Sequence, residues 1–182
     1  MGTIEQTIER RQGLFEDLNF NATREWKAAD PSRKVIGFML IYVPREVIHV
    51  AGMLPLGIFD SGDQLEVIQG DTYYQSYICR IPRSTTELML TNNLDFIDGM
   101  MFPSICDVIR NLSDMIKMIR PEIFSYYYDM PQNYKNNVGG EFYINEFHGL
   151  RHELEKLSGN KITDDALRNS IELFNENRRL VR

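Results

Sequence analysis

The hydrophobic pattern changes period several times along the chain. Residues 3–28 place Ile4, Ile8, Leu14, Phe15, Leu18 and Trp26 at an imperfect helical spacing, which predicts one or two helices packed against something else. Pro31 closes that stretch, because a proline disfavours helix in the residue before it. From Lys34 to Tyr42 the chain is rich in Val, Ile, Phe and Leu without polar alternation, the pattern of a central strand buried on both faces. Pro44 then opens a short helix through Ala51, with Gly52 as its cap. Leu54 to Phe59 reads as a second strand. Asp60 to Ile81 is irregular, with Gly62, Gly70 and several tyrosines, and predicts loop with a helical turn. Ser84 followed by Glu87 resembles a capping box opening a helix to about Thr91.

The second half repeats the alternation. Phe96 to Phe102 predicts a third strand interrupted at Gly99. A helix from about Cys106 to Met118 follows, with Val108, Ile109, Leu112, Met115, Ile116 and Ile119 at the spacing of one buried face. Pro121 stops it, and Ile123 to Tyr128 is a fourth strand. Gly139 and Gly140 precede a long helix from about Glu141 to Leu157, and Thr163 opens a last helix. Strands alternating with helices predict an α/β fold: a parallel sheet of about four strands with helices on both faces, Rossmann/flavodoxin-like, plus N- and C-terminal helices. The expected divisions are a helical segment at 1–33, an α/β domain at 34–138 and C-terminal helices at 139–182. In such sheets ligands bind beyond the carboxyl ends of the strands. Cys79, on the loop after the second strand, and Cys106, just after the third, are both expected on that edge.

Composition narrows the function classes. The 182 residues are 43% hydrophobic and 25% charged, ordinary for a globular protein. A net charge of −6 gives no general attraction to nucleic acid or acidic lipid. The longest apolar run, Val35 to Val43, is nine residues, far short of the roughly 20 a membrane span needs. The N-terminus has neither a secretory pattern nor, with Gln6, a myristoylation pattern. These features predict a cytoplasmic protein, in which two cysteines are thiols or metal ligands rather than a disulfide.

Cys79 and Cys106 are the only cysteines. Cys106 is expected at a helix N-terminus, where the positive end of the helix dipole favours the metal-binding thiolate. Arg80, Arg83 and Arg110 add positive potential nearby. There is no C-x-x-C, so spacing alone leaves metal ligation and inert packing both open. His148 and His152 share one helix face but sit among Glu146, Glu153 and Glu155, as on a solvated surface. His49, in a largely apolar helix, reads as a hydrogen-bonded packing residue. No G-x-G-x-x-G or Walker motif supports nucleotide binding. Tyr126, Tyr127 and Tyr128 read as a strand packing both faces. No catalytic acid, base or nucleophile stands out.

Three stretches carry a resemblance. Pro44-Arg-Glu46 with Ala51-Gly52-Met-Leu-Pro55 resembles the P-x-E…A-G-x-x-P signature of the 2-hydroxyacyl-CoA dehydratase/benzoyl-CoA reductase family. Gly70-Asp71-x-Tyr73-Tyr-Gln-Ser-Tyr77-Ile-Cys79-x-Ile-Pro82-Arg-Ser84 is closer still. With Leu94 to Leu112, which includes Phe102-Pro103-x-Ile-Cys106-Asp107, it looks like the C (gamma) subunits of the family's ATP-dependent reductase branch. The likeness is dense over roughly residues 34–131 and covers the N-terminal half of such a subunit.

The resemblance implies that Cys79 and Cys106 are two of three cysteine ligands, to the iron of a 4Fe-4S cluster. The third ligand would lie in a second α/β domain toward which residues 139–182 lead, outside this chain. It also implies a paired B-type subunit, and an ATPase or electron-activator component that uses the ATP. Low-potential electrons would reach a CoA-thioester aromatic ring and give a dienoyl-CoA, with the isolated chain inactive. Asp71, Tyr73 and Tyr77 are candidates to surround the cluster. The alternatives are a 2-hydroxyacyl-CoA dehydratase subunit, or a cluster-free α/β module that docks partners.

Overall fold

The computed structural model describes residues 3–39, 41–62 and 64–181. Met1 and Gly2, part of the N-terminal pattern, and Leu40, inside the expected first strand, lie outside the described residues. The chain divides into two compact units: Met1–Ser32 with Asp60–Phe96, and Arg33–Phe59 with Ile97–Arg182.

The second unit holds the sheet. Strands β1 (Val35–Met39), β2 (Leu54–Ile58), β3 (Gly99–Pro103) and β4 (Phe124–Tyr128) are all parallel, in the order β2-β1-β3-β4. That order matches the first four strands of the flavodoxin-like doubly wound arrangement. All residues of β1 are buried, as the uninterrupted apolar run predicts for an interior strand. The third strand starts at Gly99, three residues after the expected Phe96. A Cβ at Gly99 would come within 2.8 Å of Phe124, so glycine admits β4 alongside and begins the strand rather than interrupting it. Pro55 falls on β2, an edge of the sheet, where a lost ladder donor is tolerated.

Helices cover both faces. Ile36, Phe38, Met101 and Tyr128 pack with Val47 and Ile48 of α3 (Arg45–Val50) and Leu150 and Leu154 of α6 (Glu141–Ser158). On the opposite face, α5 (Asp107–Ile119) lies against β3 and β4 and buries Ile109, Leu112 and Ile116. The Ser125 hydroxyl donates to the Ser113 carbonyl there. Gly52, at φ +82°, ends α3 in the left-handed conformation that glycine adopts without strain. The last helix, α7 (Asp164–Leu180), is capped by Thr163 and packs on α3. His49 is held there by Ser170, 2.9 Å from its Nδ1, and meets the Phe174 ring edge-on.

The first unit contains α1 (Ile4–Glu16), α2 (Asn21–Ala28), a 3-10 turn (Gly70–Tyr73) and α4 (Arg80–Leu90). The expected packing of the first helix is absent: α1 buries none of its residues, and Ile4 and Phe15 are exposed. α2 is anchored by Arg24, which bonds the Asn93 carbonyl and pairs with Asp95 at 2.6 Å. α4 begins at Arg80, four residues before Ser84, which corrects the capping-box reading. Ser84 lies inside the helix, where its hydroxyl bonds Asp60 and the Ile81 carbonyl. The Glu87 carboxylate accepts from the Ile68 and Gly70 N–H groups instead of closing a box. Pro82 occupies the third helical position, where the N–H it lacks would have had no partner within the helix.

Candidate functional site

Each cysteine is the residue immediately before a helix, Cys79 in the first unit and Cys106 in the second. Cys79 caps α4 with φ −60° and ψ 158°, and Cys106 caps α5 with φ −162° and ψ 163°. Both are exposed free thiols, and neither side chain takes a capping hydrogen bond. Each cysteine thus stands at the positive end of a helix dipole, a polarity suited to an anionic sulfur ligand. The sequence pattern places only Cys106 at a helix start. The signal for Cys79 is Pro82, a residue at home in the first turn of a helix.

The segment leading to Cys79 is fixed by α4. Arg80 donates to the Gly62 and Leu65 carbonyls at 3.0 and 2.7 Å. Arg83 forks onto Asp71, with Nε 2.6 Å from one carboxylate oxygen and Nη2 2.5 Å from the other, and its Nη1 reaches the Ile78 carbonyl at 3.3 Å. The Arg83 hydrogen bond holds Asp71 below the usual carboxylate range. Arg83 is in turn raised above its ordinary value, first by that same bond. The 3-10 turn lies so close to α4 that a Cβ on Gly70 would meet the Arg83 carbonyl oxygen at 2.2 Å. Of the three residues expected around Cys79, Asp71 is engaged in this frame. Tyr73 and Tyr77 are exposed, Tyr77 by 80%.

Cys106 lines a cavity of about 350 Å³ with Ser104, Ile105, Asp107, Arg110, Tyr127 and Gln132. It opens at the carboxyl ends of β3 and β4, the edge where the sequence pattern predicts Cys106. The backbone is pinned there by the Ser104 N–H on the Tyr128 carbonyl at 2.9 Å, and by the Met130 N–H on the Ser104 hydroxyl at 3.0 Å. Arg110 donates to the Tyr127 hydroxyl at 3.2 Å and lies over that ring, 5.4 Å from its centroid. The Tyr127 bond holds the Arg110 guanidinium above its ordinary value, with Asp107 and Asp129 adding to the effect. The sequence reads Tyr127 only as strand packing. Its place opposite Tyr126 and Tyr128 follows from the period-two alternation of β4, which turns it toward α5.

The positive side chains expected near the cysteines are thus engaged: Arg83 with Asp71, Arg80 with backbone carbonyls and Arg110 with Tyr127. His148 and His152 are exposed on α6. Among the described residues, no three His, Cys, Asp or Glu side chains converge as a metal site. No helix of the described residues is long and apolar enough to cross a membrane.

Comparison with known families supplies the class. The family described as 2-hydroxyglutaryl-CoA dehydratase, D-component, matches residues 40–182, and the chain belongs to it. Among individual proteins, the chain is 64% identical over 174 residues to the C subunit of benzoyl-CoA reductase from Thauera aromatica, a match covering 96% of this chain and 45% of that protein. It is 35% identical over 149 residues to the (R)-phenyllactyl-CoA dehydratase beta subunit of Clostridium sporogenes, covering 82% of this chain and 39% of the relative. Identity to the beta subunit of (R)-2-hydroxyglutaryl-CoA dehydratase from Acidaminococcus fermentans is 32% over 150 residues, covering 80% and 38%. The chain spans less than half the length of each of these relatives.

Proposed function

We propose that this chain is the cysteine-bearing portion of the iron–sulfur subunit of an ATP-dependent benzoyl-CoA reductase. The observation that carries the reading is the contrast in identity: 64% to the C subunit of a benzoyl-CoA reductase, against 35% and 32% to the two dehydratase subunits. In this reading Cys79 and Cys106 are thiolate ligands to a 4Fe-4S cluster whose third cysteine lies outside residues 1–182. The donor chemistry fits, since iron–sulfur clusters are held by cysteine thiolates. Both thiols here are exposed, free and without a capping bond at the positive end of a helix. When bound, such a cluster supplies the low-potential electrons that reduce a thioester-activated aromatic ring to a dienoyl-CoA.

The chain's own contribution is to hold its two sulfurs on rigid helix starts. The ATP is used by a separate electron-activator component, and the partner at the substrate is a paired B-type subunit. The isolated chain has no turnover of its own.

The test is made on the anaerobically purified complex containing this chain. Iron and acid-labile sulfide are compared between wild type and a Cys79→Ala, Cys106→Ala variant. The double variant is expected to lose the iron attributable to this subunit. Iron unchanged in the double variant would sink the cluster assignment and leave a cluster-free docking module. Dearomatisation of benzoyl-CoA, against dehydration of a 2-hydroxyacyl-CoA, separates the reductase from the dehydratase reading.

A further inference from the structure

Of the arginines near the cysteines, Arg83 is the one tied to the backbone that carries a thiol. It is the fourth residue of α4, four positions after Cys79, which precedes the helix in extended conformation. Its Nη1 bonds the carbonyl of Ile78, the oxygen of the peptide unit that joins Ile78 to Cys79. Its other two donating nitrogens are locked by both oxygens of Asp71. The Arg83 side chain is 23% exposed and that of Asp71 39%, so the pair is partly withdrawn from solvent screening. Arg80, by contrast, is turned onto the Gly62 and Leu65 carbonyls.

We propose that Arg83, oriented by Asp71, is a positioning residue that fixes the Ile78–Cys79 peptide and sets the electrostatic potential at the Cys79 sulfur, so that the Asp71–Arg83 pair tunes the reduction potential of the group held there. This rests on the cluster reading above. Net charge beside a redox centre acts with a definite sign. Removing a cation makes electron gain harder, and removing an anion makes it easier. A staple with only a structural role has no such sign.

The experiment uses the anaerobic complex with Arg83→Gln, Asp71→Asn and Arg83→Lys. It measures iron content and the midpoint potential by EPR-monitored titration. Arg83→Gln is expected to lower the potential and Asp71→Asn to raise it, each by about a tenfold change in the reduction equilibrium, which is about 59 mV for one electron. Arg83→Lys, which keeps the charge without the fork, is expected to stay near wild type. Shifts in the same direction, or none with iron retained, would overturn the proposal. If Arg83→Gln loses its iron, Arg83→Lys decides: restored iron supports the charge role, and iron lost equally from both overturns the tuning of potential and leaves Arg83 a structural staple. Iron in a Cys79→Ala complex equal to that of wild type would instead defeat the cluster reading itself.

Discussion

Alanine at Gly70 tests how tightly the segment before Cys79 is clamped to α4. The new Cβ would lie 2.2 Å from the Arg83 carbonyl oxygen and 3.1 Å from the Glu87 nitrogen. Both are helix backbone atoms, which cannot swing aside as the end of a side chain could. The 3-10 turn must therefore lift. Its Gly70 N–H then leaves the Glu87 carboxylate, which it meets at 2.6 Å, and strains the neighbouring bond from Ile68 at 3.0 Å. Glu87 is only 3% exposed, so its carboxylate was desolvated to make those bonds. A hydrogen bond to a charged group contributes about 1.5–3 kcal/mol. Losing one and weakening the other gives an expected cost of about 2–4 kcal/mol. For a chain of this size that lowers Tm by roughly 4–16 °C. Circular-dichroism melting measures the total, and hydrogen exchange across residues 66–78 locates it. Gly13→Ala is the matched control. It sits inside α1 with nothing within 4 Å of the new Cβ, and is expected to stabilise by about 0.5–1 kcal/mol. A Gly70→Ala protein that melts within about 2 °C of wild type, with unchanged exchange at 66–78, would refute the clamp.

Two further outcomes follow from the core and from the ion pair. Leu154 is fully buried with Tyr128 and Ile162, so Leu154→Ala is expected to cost about 2–5 kcal/mol, read as a lower urea midpoint at constant m. Leu173→Ala, at a position 52% exposed, should stay within about 0.5 kcal/mol of wild type. The depressed Asp71 pKa fixes a sign: its contribution is complete above the ordinary value of 3.8 and is lost as pH falls through the lower folded value. Urea midpoints measured down that acid range should fall more steeply for wild type than for Asp71→Asn, and parallel curves would remove the ion pair from the acid limb.

The sheet was legible because burial on both faces leaves a plain mark. Val35 to Met39 carries no polar residue, and Ile109, Leu112 and Ile116 repeat at helical spacing. The start of α4 was not. Ser84-x-x-Glu87 looks like a local cap, yet Glu87 commits its carboxylate to residues 17 and 19 positions earlier in the chain. Such distant partners leave no trace in a short window, so tertiary bonding overrode the local pattern. The same displacement hid the matched placement of the two cysteines, each one residue ahead of a helix. Their identity as candidates was readable from the surrounding motifs, whereas the locking of Arg83 by Asp71 required the fold.

Pro82 gives the Cys79 site a property that composition alone would not suggest. A side chain at the residue before a helix ordinarily accepts a hydrogen bond from the second or third N–H of the first turn. At the third position of α4 that N–H does not exist, because the ring of Pro82 has replaced it. The cap sulfur thus has one internal competitor fewer, the N–H of Ile81 being the other. A proline that reads as a helix starter also halves the number of first-turn donors that a cap side chain could engage.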